Sequence, residues 1–215
     1  MGKIVMAGGE KGGAGKSTTA VNLAVYLASE GFDVMLLDAD KQATASKFIT
    51  RRNDAGHLPV IHNAQKLGDI YATARDLAKR YDFVVIDAGG RDSKELRTGM
   101  VATDLLYVPL RASQADVETL PVVDELVSLA RGMNPTLQAR ILLCMVPETS
   151  INTEAMDAKE LFEEFPGLPL SDNMIADLKV YRDALKLGKG VVELKNGKAK
   201  AQIQLLGQEL QELLA

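Results

Sequence analysis

The sequence predicts an α/β fold, a mostly parallel, twisted sheet with helices on both faces. Short β-branched runs alternate with amphipathic stretches of helical length along the chain. Several of those runs are apolar nearly throughout, as strands covered on both faces must be. The 215 residues are 47% hydrophobic, enough to build one sizeable core.

Taken in order, Lys3–Ala7, Asp33–Leu37, Pro59–His62, Asp82–Ile86, Asp104–Leu110 and Arg140–Val146 read as strands. Helical patterns fall at about 15–30, 43–54, 65–80, 92–102, 114–131 and 152–164 between or after them. Two more close the chain near 176–188 and 198–214. Repeated βα units of this length imply right-handed crossovers and a parallel sheet. Pro166-Gly167-Leu168-Pro169 reads as a loop, and no repeat, low-complexity tract or long linker divides the chain, so residues 1–215 are expected to form one domain.

No apolar stretch approaches the ~20 residues that span a bilayer. Ile4-Val5-Met6-Ala7 is too short for a signal-peptide core, and Met6 breaks the myristoylation pattern. Cys144 lies in the apolar run Ile141–Val146 and is expected to be a buried thiol of a reducing, cytoplasmic protein. A single cysteine excludes a chain that holds an iron–sulfur cluster through paired cysteines. His57 and His62 lack partners at metal-ligand spacing and read as surface or satisfied histidines.

The first strand runs into Gly8-Gly9-Glu10-Lys11-Gly12-Gly13-Ala14-Gly15-Lys16-Ser17-Thr18, and a helix pattern follows at once. Strand, glycine-rich loop and helix together make a phosphate cradle. Glycines let backbone N–H groups converge on phosphate oxygens, and the helix N-terminus adds partial positive charge. In this arrangement Lys16 reaches the β- and γ-phosphates of a nucleoside triphosphate, and the Ser17 hydroxyl is placed to ligate Mg²⁺. The common spacing G-x-x-x-x-G-K-[ST] requires glycine at position 10, where this chain has Glu10, and a second lysine, Lys11, precedes the glycine pair. The loop is therefore a deviant P-loop.

Acidic residues end two strands. Asp38 and Asp40 stand at i and i+2 and so point to one side, at the sheet edge where ligands of parallel sheets bind. Phe83-Val84-Val85-Ile86-Asp87 is an apolar strand ending in a carboxylate, the Walker B arrangement, with Asp87 expected to hold Mg²⁺ through water.

The total charge of −4 conceals an asymmetry. Residues 178–200 carry seven basic and two acidic side chains, a net +5, which leaves −9 for the rest. Lys179, Arg182 and Lys186 share one helix face, beside an apolar stripe of Leu178, Tyr181 and Leu185. A helix anchored on one side and basic on the next can lie along phosphates without reading bases.

Lys11–Thr18 resembles the deviant Walker A motif of the ParA/MinD superfamily. The resemblance implies an ATPase that uses ATP and Mg²⁺ and dimerises with ATP bound. By position Lys11 takes the role of the lysine that crosses the dimer interface to the partner's nucleotide. A charge delivered in trans arrives only when two subunits close, as an arginine finger does. The family pattern D-x-D-P-Q is met by Asp38, Asp40 and Gln42, with Lys41 in place of proline. It implies that Asp40 orients the attacking water and that Asp38 supports Mg²⁺ through water. Ala88-Gly89 departs from the frequent D-T-P and is similar to the small plasmid-partition branch, which lacks an N-terminal helix-turn-helix domain. Met145-Val146-Pro147-Glu148, with a loop around Leu170–Ile175, would cradle the base.

The segment Ile175–Glu193 is similar to the C-terminal region of small ParA-type partition ATPases. It implies non-specific DNA contacts from Lys179, Arg182, Lys186 and Lys189, although Leu178 stands where family members often carry arginine. A ParB-like centromere-binding or adaptor protein would stimulate slow hydrolysis, and the ATP form would associate with the nucleoid. The alternative is a MinD-like, membrane-cycling ATPase, which needs a basic amphipathic C-terminal helix. After Lys200 the last helix has only Gln and Glu among its charged or amide side chains, so packing onto the domain is expected, with no membrane partner. A small-molecule P-loop kinase fits Lys11 and the paired aspartates less well.

Overall fold

The computed structural model describes residues 1–90, 92–147 and 162–215. Along β1 (Lys3–Ala7), Ile4 and Met6 enter one apolar layer while Val5 and Ala7 enter another, and all four are buried. The same division holds in β2 (Val34–Ala39) and β4 (Phe83–Ala88), where Leu37 and Ile86 face one way, Leu36 and Val85 the other. Strands apolar on both faces belong in the middle of a sheet that helices cover on both sides.

They sit in a seven-stranded sheet of order β3-β2-β4-β1-β5-β6-β7, every neighbouring pair parallel, with β3 at His62–Gln65, β5 at Leu105–Leu110, β6 at Gln138–Val146 and β7 at Leu170–Ala176. One face is covered by α3 (Tyr71–Leu77), α4 (Lys94–Ala102) and α6 (Leu120–Met133). The other carries α1 (Lys16–Ser29), α2 (Thr44–Asp54), α7 (Lys179–Leu187) and α8 (Gly197–Leu213). A short α5 (Gln114–Val117) precedes α6, and a 3-10 turn at Val191–Glu193 joins α7 to α8. The predicted fold class is therefore the observed one.

Four expectations need correction. The third strand begins at His62, where the Pro59–His62 run was expected to end. It is an edge strand with mostly exposed side chains, so apolar character does not mark it, and Pro59 has no N–H for a ladder. The stretch around Leu170–Ile175 is strand β7, not a loop. Its polar centre, Ser171-Asp172-Asn173, is tolerated because β7 is the other edge and its register against β6 is irregular. The 114–131 helix is two helices, with Pro121 at the start of the second. The expected 65–80 helix contracts to α3. Most of the helix expected at 152–164 lies outside the described residues.

Register places the site. Asp38 pairs with Asp87 across β2 and β4, and Asp87 with Ala7 across β4 and β1. The glycine-rich loop and both acidic strand ends thus emerge side by side at the carboxyl edge, next to the central strand β1, where open α/β sheets bind ligands.

Candidate functional site

The loop after β1 reaches α1 through Gly15, whose φ of +103° is strained for any L side chain and forms the helix N-cap. No side chain caps α1 and no acidic residue occupies its first turn, so its leading N–H groups remain for an anion. Residues 10–13 and 15–18 of the loop and helix start line a cavity of about 770 Å³, closed by Asp40, Gln42, Thr44, Gly90, Thr119 and Met145. Gly90 leaves room at its floor. A Cβ there would stand 3.2 Å from Lys16 Nζ and 3.0 Å from the Glu10 carbonyl.

Lys16 is 7% exposed, and its Nζ donates to the Lys11 carbonyl at 2.5 Å. Burial pulls its pKa below the ordinary lysine value, against the opposing pull of Asp87, Asp40 and Asp116. Asp87 is fully buried, and neither carboxylate oxygen makes a hydrogen bond of acceptable geometry, although the Ser17 hydroxyl is near enough to favour its ionised form. Burial outweighs that help and pushes the carboxyl up to about 7, with Asp38 and Asp40 adding to the rise and Lys16 opposing it. A buried carboxylate with free oxygens beside a serine hydroxyl and a lysine is chemically suited to Mg²⁺ and phosphate. Among the described residues no three acidic, histidine or cysteine side chains group as a metal cage.

Asp38 is also fully buried, but it is fully engaged. One oxygen accepts the Asp40 N–H at 3.1 Å, the other the Ser46 N–H at 2.7 Å in the first turn of α2. It therefore fixes both the turn that carries Asp40 and the start of α2. Asp40 lies in the cavity wall, where one oxygen accepts the Gln42 N–H at 2.9 Å.

Lys11 ends on the segment that follows β5. Its Nζ lies 3.7 Å from Asp116 Oδ1 and 3.3 Å from the Ala115 carbonyl. Sequence reasoning passed over that segment, and also Arg111, whose Nη2 donates to the Gly13 carbonyl at 2.8 Å. Nothing in the spacing of Arg111 or Asp116 marks them, because both act across the fold.

A second, smaller cavity of about 50 Å³ adjoins Thr18. Met145, Ala176, Asp177 and Leu178 line it with Tyr181 and Arg182 of α7. Met145 takes φ +57°, an uncommon conformation for a non-glycine residue, at the boundary of the two cavities. Cys144 is buried beneath Gly15, as expected, and burial pushes its thiol up to about 12.

In α7 the apolar stripe packs as expected, with Tyr181 buried and Leu178 and Leu185 partly so. Arg182 and Lys186 are exposed, Lys189 is half-buried, and the Lys179 side chain is 82% exposed. Two of the four are paired, Arg182 to Asp177 at 2.8 Å and Lys179 to Asp183 at 3.8 Å. The carboxyl end of α7 is held by α2 and the chain just beyond it. Arg51 donates to Leu185 O, Arg52 to Gly188 O, and a His57 ring nitrogen lies 3.1 Å from Leu187 O. Arg52, wholly buried, also makes a two-pronged ion pair with Glu193 at 2.8 and 2.9 Å. His57 is thus a satisfied histidine, while Arg52, a buried charge on an otherwise basic surface helix, had no signal in the sequence.

Residues 3–133 match the family model described as ATPase MipZ. A carboxysome-distribution protein, maintenance of carboxysome distribution protein A of Gloeobacter kilaueensis, is 30% identical over 192 residues, 88% of this chain and 84% of that protein. Among solved structures, apo McdA of Cyanothece superposes with a TM-score of 0.80 at 18% identity, over 98% of this chain and all of that one. The septum site-determining protein MinD of Pyrococcus horikoshii, complexed with Mg-ADP, gives 0.77 at 19% identity over 100% and 98%.

Proposed function

The chain belongs to the MipZ family of ParA/MinD-type positioning ATPases, and from that premise we propose that it is an ATP-gated dimer that holds DNA while ATP is bound and lets go on hydrolysis. The buried, unsatisfied Asp87 carboxylate beside Ser17 and Lys16 carries the reading of the nucleotide site. Ser17 and Asp87 would hold Mg²⁺, directly or through water, with Asp38 behind them. The cation would neutralise phosphate charge when bound. Lys16 would exchange its contact with the Lys11 carbonyl for phosphate oxygens. Asp40, held by its own turn in the cavity wall, would orient the attacking water. The backbone N–H groups of residues 12–18 would bind the phosphates, and the small cavity beside Met145 and Asp177 would take the base.

Lys11 would act on the nucleotide of a second subunit. DNA contacts would come from Arg182, Lys186, Lys179 and Lys189. Because Arg182 also lines the small cavity, a base held there would meet the basic helix at that side chain. The cargo is proposed to be a DNA molecule or a large protein assembly, of the kind named by the carboxysome-distribution relative. A ParB-like adaptor protein would bridge cargo to the dimer and trigger hydrolysis. The structure of α8 supports DNA over a lipid surface. Of the apolar stripe Ile203, Leu206, Leu210 and Leu213 that a membrane-surface helix would insert, the first three are fully buried against the domain and Leu213 is partly buried.

Sizing and non-specific DNA binding with ATP, with ADP and without nucleotide test the proposal. Dimers that retain DNA only with ATP are expected. DNA binding by a monomer, independent of nucleotide, would refute it, and ATP-dependent retention on anionic vesicles instead of DNA would transfer the reading to a membrane-cycling ATPase.

A further inference from the structure

The loop that bears Lys11 is tied to the segment after β5 in both directions. Lys11 reaches out to Asp116 and the Ala115 carbonyl, and Arg111 reaches back to the Gly13 carbonyl. Asp116 is 3% exposed, and its second oxygen is fixed by the Arg111 N–H at 2.9 Å. Its backbone is fixed as well. The Asp116 N–H donates to Ser113 O at 2.9 Å, and the Asp116 carbonyl accepts the Thr119 hydroxyl at 2.6 Å. The carboxylate is therefore an immobile anchor, while Lys11, 38% exposed on a flexible four-carbon stem, is the movable member.

We propose that Asp116 is an intramolecular latch for Lys11, which must let the lysine go before it can reach a nucleotide bound by another subunit. This rests on the reading of Lys11 as a residue that acts in trans. The latch biases the ligand-free protein toward the separated subunit. It also supplies a reason for ATP to be preferred over ADP in dimer formation. A triphosphate outcompetes one carboxylate for the ammonium, whereas a diphosphate, with less charge and no γ-phosphate to present, does so poorly. The ion pair is partly solvated, so each latch opposes release by only a few-fold. A symmetric dimer opens two, and the effects multiply to roughly tenfold.

Asp116→Asn keeps an oxygen for the Arg111 N–H and removes the charge. With ATP it is expected to dimerise about tenfold more tightly than wild type, and with ADP to form dimer at concentrations where wild type does not. The double variant Lys11→Ala/Asp116→Asn should dimerise no better than Lys11→Ala. Unchanged or weaker dimerisation of Asp116→Asn, alongside a Lys11→Ala variant that fails to dimerise, would overturn the latch and leave the in-trans reading standing. Normal dimerisation of Lys11→Ala would remove both. If Asp116→Asn folds poorly, wild type gives the answer through amine acylation followed by mass spectrometry. Without nucleotide, Lys11 should react several-fold more slowly than the exposed Lys200, and equal rates would overturn the latch.

Discussion

Two regions of the molecule hold their charges in contrasting ways. At the edge that carries the glycine-rich loop, Lys16, Asp38 and Asp87 are buried and Asp87 has no hydrogen-bond partner. On the basic face of α7, Lys179 and Arg182 are exposed and ion-paired to neighbours. Buried charge without a partner is costly and persists where a ligand completes it. Exposed, paired charge is inexpensive and says little on its own about what it meets. The loop edge thus holds charge that a ligand would complete, while the basic face holds charge already paired.

The largest effect is expected at that edge. Lys16→Ala should lower the second-order rate of ATP hydrolysis by roughly a thousandfold, the scale of removing one preorganised charge donor from a developing phosphate charge. A loss below tenfold in steady-state assays would mean the cavity does not use Lys16. Next comes the joint between the regions. Arg52→Ala leaves Glu193 and the Gly188 carbonyl short of donors and should destabilise the fold by about 3 kcal/mol in urea titrations. Arg52→Met, which keeps much of the volume, should lose less. Equal losses would mean that packing, not the ion pair, joins α2 to the C-terminal segment.

How legible these regions were in the sequence follows the same divide. The P-loop was readable because its chemistry is local. Glycines, lysine and serine act within a few residues of one another on one turn. Asp38 and Asp87 were readable as strand ends, but their pairing across β2 and β4 rests on sheet order, which no local pattern encodes. The edge strands β3 and β7 were shifted or missed because an edge needs no continuous apolar run. Arg52, Arg111 and Asp116 were invisible for a related reason. Their partners lie tens to more than a hundred residues away, or owe their importance to contacts made only after folding.

The pH dependence of the ligand-free protein sharpens the contrast further. Asp87 has a folded pKa of about 7, above the unfolded value of about 4. The folded state therefore binds the extra proton within that window, and stability falls as pH rises from about 4 to about 7. Asp87→Asn removes this dependence. Its stability should match wild type near pH 4 and exceed it by a few kcal/mol at pH 8, measured by denaturant melts without nucleotide. A gap that stays constant with pH would contradict the buried, unpaired state of Asp87.

On the basic face the effects are smaller in stability and visible in binding. The triple variant Lys179→Glu/Arg182→Glu/Lys186→Glu should change folding by under about 1 kcal/mol, since the pairs lost are exposed. It should weaken ATP-dependent DNA retention by roughly a hundredfold or more near 0.1 M salt and flatten its salt dependence. Undiminished, salt-sensitive binding would move the DNA site elsewhere.

The central claim is that the deviant loop is half of a two-subunit switch, with Lys16 serving its own nucleotide and Lys11 the neighbour's. Sedimentation of wild type and Lys11→Ala, each saturated with ATP, tests it most directly. The account predicts a wild-type dimer and a Lys11→Ala monomer that still binds ATP. A Lys11→Ala dimer as tight as wild type would contradict it.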